Sequence, residues 1–297
     1  LPAKKLAHKL LNKKVSHIKN IHFKKYHKMK RSIILSVMLV AISFLFATTI
    51  KAQSAAGVKS GSVTYTDGVS TLVGFVAYDS TNTKKRPAIL IAPEWWGVTD
   101  YTRNRAKQLA AAGYIAFVID YYGNGTVASN PTDAVALATP YYKDPVLAKK
   151  RFDAALTKVK TYAVTDQSKV AAVGYCFGGS MIFNAAKLGA DVKGIADIHG
   201  GLLGVPPVKS SLKAKVLACH GADDQFIKAA EVAEFKKQMD SIGADYKYID
   251  YPGATHAFSN PEATAIGKKF NMPIAYNEAA NKGSWQAMLE FFDRIFK

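Results

Sequence analysis

Cysteine is scarce: the 297 residues contain two, Cys176 and Cys219. That excludes a disulfide-rich scaffold, and a chain this long builds a core without a staple, so two free thiols with different jobs are expected. Histidine is scarce too. Four of the seven lie in residues 1–28, leaving His199, His220 and His256 for chemistry. None of these three stands at metal-ligand spacing from another His or Cys, so no metal is expected. The sequence also lacks a phosphate-cradling glycine loop, a Pro/Ser-rich linker, an internal repeat and a second hydrophobic pattern. No cofactor is therefore expected, and one domain from 57 to 297 is the economical reading.

Acidic residues are absent from the first 52 positions, which hold twelve of the 40 Lys and Arg. The remaining 28 basic residues face 22 acidic ones, so the +18 formal charge shrinks to +6 outside this leader. Without a basic-aromatic stripe, nucleic-acid binding is not expected. Residues 29–52, "MKRSIILSVMLVAISFLFATTIKA", have a basic start, an uncharged apolar stretch from Ser32 to Ile50 and small residues after it, the layout of a secretory signal. Export to the periplasm or medium of a bacterium is expected, with cleavage after Ala52 or Ala56 and no membrane insertion afterwards. An uncleaved anchor is the alternative. Residues 1–28 precede Met29, the natural start, and read as an upstream extension that need not be translated; a basic amphipathic helix is the other reading.

Beyond the leader, short apolar or β-branched runs at 71–80, 87–93, 114–120, 169–175, 192–200, 215–221 and 245–252 each stop at Gly, Pro or Asp. Most are apolar on both faces, as strands between two helical layers must be. Helical patterns occupy 100–113, 145–163, 178–189, 228–243 and 283–296. This alternation predicts an α/β fold: a doubly wound, mostly parallel sheet with helices on both faces. Reactive residues then gather at the carboxyl ends of the strands.

At one such end "GYCFG" places Cys176 between Gly174 and Gly178. A nucleophile held on a sharp strand-to-helix turn needs small residues two positions away, so that strand and helix can approach. The following helix aims its N-terminus at the sulfur and favours negative charge there. A nucleophile of this kind needs a base and an orienter, in chain order Cys, Asp/Glu, His. "HGADDQFI" offers Asp223 and Asp224, and "PGATHAFSN" offers His256 in a loop after the last strand. His199 and His220 lie at strand ends before glycines and read as packed, hydrogen-bonded residues. "IAPEWWGVTD" supplies a fourth feature: Glu94, Trp95 and Trp96 after a buried strand. Its backbone joins the amide after the nucleophile in an oxyanion hole, here the N–H groups of Trp95 and Phe177.

These four stretches, in this order, resemble the dienelactone hydrolase family of α/β-hydrolases over roughly residues 58–297. The resemblance implies Cys176 as nucleophile, His256 as base and Asp224 as orienter, because the family spaces a Gly, two residues, then the Asp, with a hydrophobic residue three further on. It implies that Glu94 hydrogen-bonds the resting thiol, and that Trp96, Tyr122, Asn124 and Asn260 border the substrate. Members that hydrolyse dienelactone carry arginines where "DYYGNG" and "HAFSN" here have Asn124 and Asn260. An asparagine cannot neutralise a carboxylate. The expected substrate is therefore a small, neutral or weakly polar ester or lactone, cleaved through a thioester by a monomer. The alternatives are carboxymethylenebutenolidase activity, or a non-catalytic envelope binding protein on a hydrolase fold.

Overall fold

The computed structural model describes residues 57–297. The expected signal segment at 29–52 and the extension at 1–28 lie outside the described residues. Strands β1 (Val58–Thr66) and β2 (Thr71–Asp79) form an antiparallel hairpin, turned at Asp67, whose Oδ1 accepts from the Val69 and Ser70 amides. Then follow β3 (Arg86–Ala92), α1 (Asp100–Ala111), β4 (Ile115–Val118), α2 (Pro131–Lys143), α3 (Pro145–Lys160), β5 (Thr165–Tyr175) and α4 (Phe177–Lys187). The chain closes with β6 (Gly194–Ile198), β7 (Lys215–Gly221), α5 (Ala229–Ser241), β8 (Tyr246–Tyr251), α6 (Ala263–Phe270) and α7 (Glu278–Phe296).

The eight strands form one sheet in the order β1-β2-β4-β3-β5-β6-β7-β8, antiparallel at β1, β2 and β4 and parallel from β4 through β8. Two cores flank it, and the period-2 geometry of a strand divides side chains between them. In β3, Ala88, Leu90 and Ala92 join the core under α3, α4 and α5, while Ile89 and Ile91 join the core under α1 and α7. In β5, Val170 and Ala172 take the first side, and Ala171, Val173 and Tyr175 the second. This two-sided burial is why the central strands read as unbroken apolar runs. Truncating a fully buried Leu90 or Ile91 to alanine costs about 2–5 kcal/mol.

Helix starts follow local capping chemistry. The Asn130 side chain accepts from the Asp133 amide ahead of Pro131, and Asp144 caps Val146 and Leu147 ahead of Pro145. Four elements depart from the sequence reading. β1 is an edge strand buried mainly at Tyr65, so its pattern carries no apolar run. α2 contains Pro140 and α6 contains Gly267, both of which read as breakers. α7 starts at Glu278, capped by Asn277, ahead of the helical pattern read at 283–296.

Parallel register carries five strand ends to one edge. Ala92 of β3 pairs with Gly174, Tyr175 with Ile198, Ile198 with Cys219, and Gly221 with Tyr251. The residues just beyond these ends are Glu94, Cys176, His199, Asp224 and His256.

Candidate active site

Cys176 stands between β5 and α4 with φ 54° and ψ −118°, a conformation that costs a non-glycine residue about 1–3 kcal/mol. The close approach it requires is visible at its neighbours. A Cβ on Gly174 would overlap the Gly178 carbonyl, and one on Gly178 would overlap the Ala92 carbonyl. The bend points the sulfur out of the sheet edge; Cys176 is part-exposed, whereas Cys219 is buried with its thiol pushed up to about 12 by burial. Phe177, first residue of α4, has no intrahelical acceptor for its amide. The Trp95 amide likewise makes no hydrogen bond among the described residues. Neither amide has a hydrogen-bond acceptor among the described residues.

His256 lies in the loop after β8, and its Nδ1 is 2.8 Å from Asp224 Oδ2. Asp224 Oδ1 accepts from the Phe226 amide at 2.8 Å. Burial opposes charge on Asp224, but the His256 bond outweighs it and holds the carboxyl below its ordinary range. Burial also opposes charge on His256, yet Cys176 and Asp224 together raise it to about 10. The imidazole therefore favours its charged form at neutral pH. Asp223, by contrast, is exposed and contributes only its backbone amide, to the Ala254 carbonyl.

Glu94 is 3% exposed and accepts from Asn260 Nδ2 at 2.8 Å. The expected hydrogen bond to the resting thiol is not made; the side-chain hydrogen bond that Glu94 accepts comes from Asn260. Burial pushes the Glu94 carboxyl up to about 7 despite that bond and the positive fields of His256 and Arg105. A carboxyl that holds its proton more tightly folded than unfolded contributes stability at low pH, and loses it as pH rises through the folded value. Glu94→Gln is expected to gain thermal stability over wild type as pH rises from about 4.5 to about 7, by up to about 3 kcal/mol. Melting curves across that range check it; a flat difference contradicts a costly buried charge.

These residues border a cavity of about 400 Å³. Cys176, His256, Glu94 and Asn260 form its reactive end, with Trp95 and Trp96 alongside. The remaining wall is mainly apolar, from Val135, Ala138, Phe226, Ile227, Ile266 and Ile274. No Lys or Arg lines it; its charged side chains are Glu94, Glu231 and His256. Tyr122 is set behind this wall, donating from its hydroxyl to the Trp95 carbonyl at 2.8 Å. Neither Tyr122 nor Asn124 lines the cavity as expected, and Asn124 is exposed, in a turn with φ values of 92°, 54° and 68° at Gly123, Asn124 and Gly125. Its amide bonds to Thr71, so the turn leads away from the cavity.

Sequence reasoning missed the cavity wall supplied by α2 and α6, although Asn130-Pro131 is a legible helix start. It also missed Arg105, a buried guanidinium that donates to the Ser259 carbonyl at 2.8 Å and thereby props the His256 loop. His220 is buried as expected, but its Nε2 has no hydrogen-bond partner and lies 3.8 Å from Asp224 Oδ2. Among the described residues no group of three or more His, Cys, Asp or Glu is arranged to hold a metal ion.

Known proteins resemble this chain in sequence and fold. A crystal structure of a dienelactone hydrolase-like promiscuous phosphotriesterase, P91 from metagenomic libraries, superposes with a TM-score of 0.76 at 30% identity, covering 81% of this chain and 100% of that one. A protein of Aquifex aeolicus provisionally named carboxymethylenebutenolidase is 27% identical over 71% of this chain and 89% of its own length. An α/β hydrolase from a Medee basin deep-sea metagenome, MGS-M1, is similar at 16% identity and a TM-score of 0.58, a likeness of fold. The family model described as dienelactone hydrolase family matches residues 73–296, nearly the whole described unit. The chain belongs to the dienelactone hydrolase family, as a hydrolase on the α/β-hydrolase fold.

Proposed function

We propose that this hydrolase cleaves small, neutral carboxylic esters or lactones through Cys176, with His256 as acid and base and Asp224 as its orienter. The observation that carries the reading is the strained Cys176 at one end of an apolar cavity, beside a His256 already bonded to Asp224. With Nδ1–H donated to Asp224, His256 keeps Nε2 for the sulfur and the leaving oxygen. The thiolate attacks the ester carbonyl carbon, and the carbonyl π electrons move onto oxygen. The Trp95 and Phe177 amides hold that oxyanion, each such donor typically worth about 2.7–4 kcal/mol. As the carbonyl reforms, the C–O bond breaks and His256 gives its proton to the departing alkoxide. Water, deprotonated by His256, then attacks the thioester, releasing the carboxylic acid and restoring the sulfur.

Substrate charge follows from the lining. A carboxylate-bearing substrate would enter a mainly apolar cavity lined by Glu94 and Glu231 but by no Lys or Arg, where the one cationic group, His256, is already paired with Asp224, so its desolvation is poorly offset. The relative named carboxymethylenebutenolidase suggests the anionic lactone as the other reading, and the same experiment separates them. Among p-nitrophenyl esters, butyrate is expected to show kcat/KM at least about tenfold above the matched hemisuccinate. Equal or reversed preference contradicts a cavity built for neutral acyl groups. The N-terminal signal pattern supports action outside the cytoplasm; cell fractionation showing the protein in the cytosol at full length would contradict that.

A further inference from the structure

We propose that His199 is a positioning residue: one neutral imidazole that bridges the backbone of Cys176 and the loop carrying His256, fixing nucleophile and base relative to each other. The inference rests on the reading of Cys176 as nucleophile. His199 is fully buried at the end of β6 and lines no part of the cavity beside Cys176, so it touches no substrate there.

The bridge is made at both ring nitrogens. On one side the Cys176 amide donates to His199 Nδ1 at 3.1 Å, sharing its hydrogen with the Ile198 carbonyl at 3.1 Å. Because Nδ1 accepts, the ring proton sits on Nε2. On the other side Nε2 meets Ser259 Oγ at 2.8 Å. Ser259 is three residues beyond His256, and its own surroundings are fixed. Its hydroxyl pairs with Tyr101 Oη at 2.7 Å, its carbonyl accepts from Arg105 Nη2 at 2.8 Å, and Arg105 Nε donates to Tyr101 Oη at 3.4 Å. The edge-on packing of the His199 ring against His256 and Phe258, each at 5.2 Å between centroids, ties it to the same loop.

The backbone shows the same purpose. His199 itself has φ 49°, in the left-handed region, while its amide still bonds to the Cys219 carbonyl at 2.9 Å. That bend turns the ring back over the elbow instead of along the sheet. Cys176 stands one residue beyond β5 and has not entered α4, and its strained amide is held by two acceptors, the Ile198 carbonyl and His199 Nδ1. Its orientation sets where the sulfur points and where the next amide, Phe177 N–H, is aimed. Catalysis is sensitive to such placement, since a displacement of about 1 Å at a reacting group costs on the order of 100-fold.

The test uses steady-state hydrolysis of p-nitrophenyl butyrate and the rate of Cys176 alkylation by iodoacetamide, on four variants. His199→Leu removes both ends of the bridge and is expected to lower kcat about 10- to 100-fold, with KM within about threefold of wild type. His199→Asn keeps an acceptor near the Nδ1 position and loses the contact to Ser259, so it should match Ser259→Ala. The double variant His199→Leu/Ser259→Ala should fall no further than His199→Leu alone, because both break one bridge. If His199→Leu does not fold, His199→Asn and Ser259→Ala still decide the question. A kcat within about twofold of wild type in the folded variants, with unchanged alkylation, overturns the inference; so do losses that multiply in the double variant. Retained activity in Cys176→Ala would instead overturn the nucleophile assignment on which the bridge rests.

Discussion

Cys176→Ala is expected to lower kcat for neutral p-nitrophenyl esters by about 10,000-fold or more. The size follows from what remains. Without sulfur the proposed oxyanion donors, the Trp95 and Phe177 amides, and the proposed base, His256, remain, so turnover is expected to fall to a residue rather than to nothing. No other nucleophile substitutes. Ser180 borders the cavity, but its hydroxyl already accepts from the Gly201 amide at 2.9 Å. Cys219 is buried, and its thiol, pushed up to about 12, holds its proton at any working pH. The same substitution leaves the fold nearly intact, because a part-exposed thiol contributes little packing. Circular dichroism and turnover measured on one preparation separate loss of chemistry from loss of structure. Activity within tenfold of wild type would mean that His256 directs water at the ester without a covalent step.

The second large effect is expected at Asp224. Asp224→Asn removes the charge that accepts His256 Nδ1–H at 2.8 Å and offers an amide that can donate instead. The imidazole then loses both its tautomer and its charge partner, and kcat is expected to fall about 1,000- to 10,000-fold. The pH profile shifts as well. His256 is raised to about 10 by Cys176 and Asp224 against the opposing effect of burial. Removing one of the two lets burial weigh more, so the acid form needed to protonate the leaving group is lost at lower pH. Asp223→Asn, one position earlier, changes an exposed side chain with no hydrogen bond of its own and is expected to stay within about twofold, as surface substitutions do. Reversal of the two results would place the orienter at Asp223.

The contrast between these neighbours marks what the sequence could say. A Gly two residues before the elbow cysteine, and another two after it, follow from a close approach of β5, α4 and β3, which is a local steric demand. The order Cys, Asp, His survives because parallel strands deliver their ends to one edge in chain order of their crossovers. Buried strands were legible for the same reason, as β3 and β5 feed alternate residues to two cores and so read as apolar throughout.

What stayed hidden depends on returning chain segments. The cavity wall from α2 and α6 has no pattern that announces where those helices fold back, and Pro140 and Gly267 disguise them as loops. The resemblance implied that Asn124 borders the substrate, yet three consecutive left-handed residues turn it outward. His199 read as a packed histidine, and it is packed; that both of its nitrogens join the elbow to the base loop emerges only from the distance to Ser259, 60 positions away. Glu94 was placed correctly at the strand end, but its partner proved to be Asn260, a side chain from a loop 166 residues later.

The covalent role of Cys176 is tested most directly by mass spectrometry of enzyme quenched in acid within milliseconds of mixing with p-nitrophenyl butyrate. A butyryl adduct on the peptide containing Cys176, labile to hydroxylamine and absent in Cys176→Ala, is the expected result. Rapid p-nitrophenol release with an unmodified Cys176, or with the adduct on Ser180, would contradict the account.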